Sequence, residues 1–228
     1  GNTFFYLIIQ VPIMLILAIL LAQLLNNKHL KLRGLFRTCV FLPCATSLVS
    51  YSLIFRSMFA TDGLINSILM KLGILHSGYN FLGHSGSAKA VIILALIWRW
   101  TGYNMVFYLA GLQNIEYSVY EAAKIDGASD HEILFKIKLP MVMPSITICT
   151  FLTLTNSFKL FDQNVALTAG EPANASEMLA LNIYNTFYGR SGAQWKGIGQ
   201  AKAVIFFLIV VVISMIQLHF TRSKEVQQ

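Results

Sequence analysis

The chain has 228 residues and a formal net charge of +7; 56% of its residues are apolar and only 12% are charged, about half the charged fraction of an ordinary soluble domain. That balance excludes disorder and argues against a water-soluble globule. The 17 Lys and Arg are scattered between long apolar runs instead of gathering on one face, so the basicity reads as membrane orientation, with no nucleic-acid partner expected.

A bilayer core about 30 Å thick takes about 20 mostly apolar helical residues, and five stretches qualify: 4–25, 39–55, 90–112 (interrupted only by Arg99), 139–158 and 203–220. Each is expected to be helical, because lipid offers unpaired backbone groups no partner and the runs lack the alternation of barrel strands. The predicted fold class is therefore all-α, a polytopic transmembrane helical bundle of five spans. The first run has 22 residues and no small-residue cleavage pattern after it, which separates it from a secretory signal. Its Phe4, Phe5 and Tyr6 read as an interfacial aromatic belt.

Orientation follows from the charges beside the spans. Residues 26–38 carry Lys28, Lys31, Arg33 and Arg37 and are expected inside the cell, together with residues 113–138 and the tail from Arg222. The inside segments then hold nine basic residues in 46 positions and the outside segments seven in 78, as the positive-inside rule requires. This topology starts the chain outside the cell at Gly1, which leads to the expectation of an amino-terminal span preceding it.

The inside segment 116–140 reads EYSVYEAAKIDGASDHEILFKIKLP. Good helix formers run to Asp126, Asp126-Gly127 marks a turn, and Ser129-Asp130-His131-Glu132 has the pattern of a capping box opening a second helix. Ile133, Leu134, Ile137 and Leu139 give that helix an apolar side, and Pro140 is expected to end it. The prediction is a compact knob of two short helices.

These residues carry a resemblance. The segment is similar to the cytoplasmic motif shared by membrane subunits of ATP-binding-cassette importers: Glu121, Ala122, Ala123, Gly127, Ile137, Leu139 and Pro140 fall at its fixed spacing without a gap. Residues 32–43 (LRGLFRTCVFLP), the WRWTGYNM stretch from Trp98 and residues 157–172 (SFKLFDQNVALTAGEP) look more narrowly like sugar permeases of the maltose-transporter first-permease type. Two departures stand out: Ile115-Glu116 where relatives often carry Ile-Pro, and Ala169-Gly170-Glu171-Pro172 at the outer GGGP-like turn. The resemblance implies that residues 1–228 are a single permease domain with a coupling loop over 113–140. It further implies a multi-pass subunit of the bacterial cytoplasmic membrane, working with a second permease, two ATPases and an extracellular solute-binding protein to import a sugar or oligosaccharide. Glu121, Ala122, Ala123, Asp126, Gly127, Ala128 and Ser129 would dock on the ATPase. Their chemistry agrees, since the alanines permit close approach, Gly127 a sharp turn, and Glu121 a charge-assisted bond.

No phosphate-binding loop of the G-x-x-x-x-G-K-[ST] type occurs, so ATP and Mg are expected on the partner ATPases, with no cofactor on this chain. Neither a nucleophile setting nor a metal-ligand spacing is found, and Cys39, Cys44 and Cys149 all lie in apolar runs. The chain is not read as an enzyme. Polar groups inside spans are the better guide to substrate, because they are costly at membrane depth unless paired or facing water. Ser47, Trp98, Arg99, Thr101, Gly102, Asn104, Asn156, Ser157, Lys159 and Leu160 are the candidate pathway residues; Trp100 and Tyr103 add aromatic faces nearby. Arg99 either serves the pathway or pairs between helices. Lys159 either touches substrate or snorkels outward, with Asp162 as an ion-pair partner. Ser47, Ser50 and Ser52 either line the path or bond back to their own helix. The expected mechanism is alternating access driven by ATP. The alternative is a self-contained secondary transporter or channel using Arg99 and Asp162 as ion sites, which predicts internal repeats that the sequence does not display.

Overall fold

The structure, a computed structural model, describes residues 1–27 and 30–222. Lys28, from the first basic segment, and Lys224, from the tail, lie outside the described residues. Among the described residues every regular element is helical. Four helices are long and apolar enough to cross a membrane, five if one bent pair counts as a span.

Helix α1 (Asn2–Asn26) carries no charge, and an 18-residue stretch of it has a mean hydropathy of 2.7. Tyr6, Gln10, Met14, Ala18 and Ala22 recur every four residues as its buried stripe, while Ile8, Ile16, Leu20 and Leu24 are exposed on other faces where lipid is the matching solvent. Its partner is α5 (Ser85–Gln113), the central helix of the bundle. The fully buried Ala18 and Ala22 allow close approach of Met105, Tyr108, Leu109 and Leu112, as small residues do in membrane helix pairs.

Between them the predicted span 39–55 is not one helix. It is α2 (Arg33–Ala45) and α3 (Leu48–Met58), bent by 98°. Pro43 lies in the last turn of α2, and Thr46 and Ser47 are both extended, so the ladder stops there. Arg99 of α5 supplies the missing donors. Its Nη1 donates to Thr46 O at 2.8 Å, to Pro43 O at 3.3 Å and to Thr46 Oγ1 at 3.3 Å. The guanidinium also lies over the rings of Tyr51 and Trp100, 4.7 and 5.3 Å from their centroids. The second of the two sequence readings of Arg99, pairing between helices, describes this geometry. One turn along, Gly102 lets α2 cross directly over α5: a Cβ there would strike the carbonyl of Val40 and the backbone of Phe41. Gly102 is thus a packing residue.

Beyond α3 the chain forms a short helix, α4 (Leu64–Lys71), and after α5 the loop helix α6 (Tyr117–Ile125). Gly127 makes the turn at φ +81°. The capping box forms, with Glu132 N bonded to Ser129 Oγ at 3.3 Å and Ser129 N to Glu132 Oε2 at 3.1 Å. The helix it opens does not stop at Pro140. It runs from Asp130 to Phe158 as α7, with a wide π turn over Ile133–Lys138. That turn shifts the bonding from the i−4 to the i−5 carbonyl, Leu139 N reaching Leu134 O, and so accommodates the proline ring immediately after it.

Two short helices, α8 (Asp162–Leu167) and α9 (Leu179–Tyr188), and the long α10 (Ala193–Arg222) follow. Helices α3, α5 and α8 share one apolar cluster around Tyr51, Phe55, Ile92, Leu96 and Leu167. The 169–172 turn is held by Ser176, whose Oγ donates to Glu171 O at 2.6 Å and bonds Thr168 Oγ1 at 2.8 Å. Helix α10 packs through Phe206, Ile209, Val210 and Ile213 onto Leu7, Val11 and Phe158, and its first turns lie against α9, where Gly199 meets Phe187 and Lys202 Nζ donates to Asn182 Oδ1 and Thr186 Oγ1, both at 2.8 Å.

Two substitutions test this framework. Gly102→Ala pushes α2 off α5 and is expected to destabilise the bundle by about 1–3 kcal/mol. Arg99→Leu removes the donor to Thr46 O, while Pro43 O keeps Thr46 Oγ1 at 2.6 Å, and is expected to cost about 1–3 kcal/mol. Equilibrium unfolding in mixed micelles of graded denaturing-detergent content measures both, and unchanged midpoints would refute the bracing role.

Candidate functional site

One cavity of about 200 Å³ opens where α1, α5, α7 and the turn into α8 meet. Helix phase builds its walls. Trp100, Tyr103 and Asn104 project from α5 at spacings of three and four residues, Thr153, Asn156 and Ser157 do the same from the end of α7, and Leu160 follows in the turn beyond it. Gln10 and Met14 come from α1, Leu48 from α3, and Lys159, Asp162 and Gln163 from the turn into α8. The walls are cross-tied, with Thr153 Oγ1 donating to Asn104 Oδ1 at 3.1 Å and Gln10 Nε2 donating to Ser157 Oγ at 3.4 Å. Trp100 and Tyr103 meet edge to face at 5.9 Å between centroids. Flat aromatic faces beside amides and hydroxyls suit a ligand with both apolar faces and many hydroxyls.

Of the sequence-predicted pathway residues, the structure gathers Asn104, Asn156, Ser157, Lys159 and Leu160 around this cavity. It places Ser47, Trp98, Arg99, Thr101 and Gly102 elsewhere. Ser47 precedes α3 at the break. Trp98 is 44% exposed and packs on Phe55 and Tyr51. Thr101 Oγ1 donates to its own helix at Ile97 O, 2.6 Å away, and Ser52 does likewise to Leu48 O at 2.8 Å. Arg99 and Gly102 belong to the α2 crossing. These residues fail as cavity wall because polarity identifies a costly side chain without telling which face of the helix it occupies. Lys159 and Asp162 are exposed at the cavity, and among the described residues no ion pair joins them.

Sequence reasoning missed Gln10, Met14, Leu48, Thr153 and Gln163 as lining residues. Gln10 had a signal, being an amide inside an otherwise apolar run; Met14 and Leu48 had none, since an apolar residue in an apolar helix carries no mark.

The second candidate region is the loop. Glu121, Ala122, Asp126, Gly127 and Ser129 are exposed, Ala128 is half-buried and Ala123 is buried. Ile125 is 85% exposed at the tip, an unusual place for a large apolar side chain unless something covers it. Lys136 donates to Glu132 Oε1 at 2.8 Å. That bond, with those from Ser129, holds the Glu132 carboxyl at about 2, well below the usual carboxylate range. The capping box, which lies ahead of the apolar stretch of α7, thus loses its charge only as the pH falls towards that value. Lys138 lies over the Tyr120 ring at 5.5 Å, fastening α6 to α7.

Three comparisons bear on this architecture. The chain is 42% identical to the lactose transport system permease protein LacF of Rhizobium radiobacter, over 98% of this chain and 75% of that protein. It is 36% identical to the arabinooligosaccharides transport system permease protein AraP of Halalkalibacterium halodurans, over 96% of this chain and 69% of that one. Its fold is similar to that in a crystal structure of a bacterial ABC transporter involved in the import of the acidic polysaccharide alginate, with a TM-score of 0.87 at 24% identity, covering 97% of this chain and 77% of the other. The family described as binding-protein-dependent transport system inner membrane component matches residues 3–226. With that match spanning all five apolar stretches and the loop, the chain belongs to the inner membrane components of binding-protein-dependent transport systems.

Proposed function

We propose that this chain is the permease subunit of a sugar or oligosaccharide importer driven by ATP, and that the cavity between α1, α5 and α7 lies on the solute's path. The carrying observation is mechanical. Helix α7 is continuous from the exposed capping box at Ser129 to the cavity wall at Thr153, Asn156 and Ser157. A force applied to the loop thus reaches the wall through a single hydrogen-bonded rod. The aromatic and amide lining, and the sugar transport named for two relatives, support the solute class.

In this reading a second permease completes the pathway, an extracellular solute-binding protein delivers the sugar, and two ATPase subunits carry ATP and Mg. The Glu121–Ser129 segment docks on one ATPase, with Ile125 entering an apolar cleft and Glu121 meeting a basic group. ATP-driven closure of the ATPase pair draws the loops together and opens the cavity outward; hydrolysis reverses this and releases sugar inside. By linkage, the loaded binding protein and ATP must each favour one state over the other. Of the two ion sites in the alternative reading, Arg99 is bonded to the carbonyls of the break, and Asp162 lines the cavity.

Two experiments test the assignment. Glu121→Ala in the assembled transporter is expected to reduce sugar uptake at least tenfold while the subunit still inserts in the membrane, as measured by radiolabelled uptake and by immunoblot of the membrane fraction; full uptake would refute docking through this loop. In proteoliposomes, collapsing ion gradients with ionophores is expected to leave uptake intact, and withholding ATP to abolish it; the reverse pattern would favour the secondary transporter.

A further inference from the structure

The buried stripe of α1 is apolar at Met14, Ala18 and Ala22, and Gln10 interrupts it with an amide that is 1% exposed. In an apolar helix an amide is costly unless both its ends are bonded. One end is: Nε2 donates to Ser157 Oγ at 3.4 Å. The other end, Oε1, is buried without a partner, on a side chain that lines the cavity. The neighbouring wall amide is already committed, since Asn104 Nδ2 donates to Trp100 O at 3.3 Å and its Oδ1 accepts from Thr153 at 3.1 Å. Among the described lining residues, Gln10 alone keeps a buried side-chain acceptor unused.

We propose that Gln10 Oε1 accepts a hydrogen bond from a hydroxyl of the passing solute, and that this amide on the α1 wall discriminates polyhydroxylated solutes carrying a hydroxyl at that place from those lacking it. The inference rests on the cavity being the solute path. A hydroxyl is the fitting group, because it donates to the amide oxygen and leaves its own oxygen free to accept from the cavity. An anionic group would meet the amide oxygen with like polarity, and an apolar one would leave it unpaired.

The test uses the fully assembled transporter in proteoliposomes at saturating binding protein, with lactose, arabinooligosaccharides and monodeoxy derivatives of whichever is imported. Wild type is expected to carry the parent sugar about tenfold faster than one of the monodeoxy derivatives. Gln10→Met and Gln10→Leu are each expected to erase that gap by slowing the parent sugar alone, whereas a merely structural role slows every sugar alike. Co-purification with the ATPase subunits checks assembly, and two variants are used so that misfolding of one leaves the other readable. A gap that survives in both, uniform slowing of all sugars, no gap in wild type, or failure of both variants to assemble would overturn the proposal and leave the solute path standing. Absence of any sugar uptake by wild type would overturn the path itself, and this inference with it.

Discussion

A backbone carbonyl inside a bilayer has no water to turn to, so a span can break only where a donor of the same protein reaches the break. Here the donor is Arg99, and most of the bundle is arranged around that requirement. To bring the guanidinium to Pro43 and Thr46, α2 must lie against α5, and to lie that close it must cross at a residue without a side chain, Gly102. The same helix then has a neighbouring face left over. Trp100, Tyr103 and Asn104 occupy it and turn towards α1 and α7, where the cavity lies. One stretch of α5 thus braces the fold with some residues and shapes the cavity with those between them.

The positions of four spans could be read in the sequence because the signal for a membrane helix is bulk hydropathy over many residues, which neighbours cannot overturn. The broken span could not, because residues 39–55 have the composition of a continuous helix and only Pro43 and the following Thr46-Ser47 hint at an end. The capping box at Ser129–Glu132 was legible since it is a local exchange of two bonds. The end of its helix was misplaced for the opposite reason: Pro140 ordinarily stops a helix, and the wide turn that admits it has no short sequence signature. In the cavity, Asn104, Asn156 and Ser157 were found by their polarity. Gln10 was overlooked because its role depends on the phase of α1 against α7, a relation between two helices that neither sequence contains by itself.

Site and scaffold also differ in how their polar groups are used. Thr101, Ser52 and Asn104 bond within the protein, as does Arg99 through Nη1. Lys159 and Asp162 are exposed at the cavity, and the loop residues Glu121 and Asp126 face outward from the far end of α7. These four lie towards the two ends of α7, and Gln10 Oε1 on α1 adds a buried acceptor without a partner at the cavity.

The wide turn over Ile133–Lys138 lies on α7, between the loop and the apolar stretch. Such a turn holds one residue more than the regular spiral. Moving it along the chain would re-phase only the side chains it passes, each by about a quarter to a third of a turn, and leave the stretch beyond in its old setting, so the rod could present a few side chains to a new neighbour without turning as a whole.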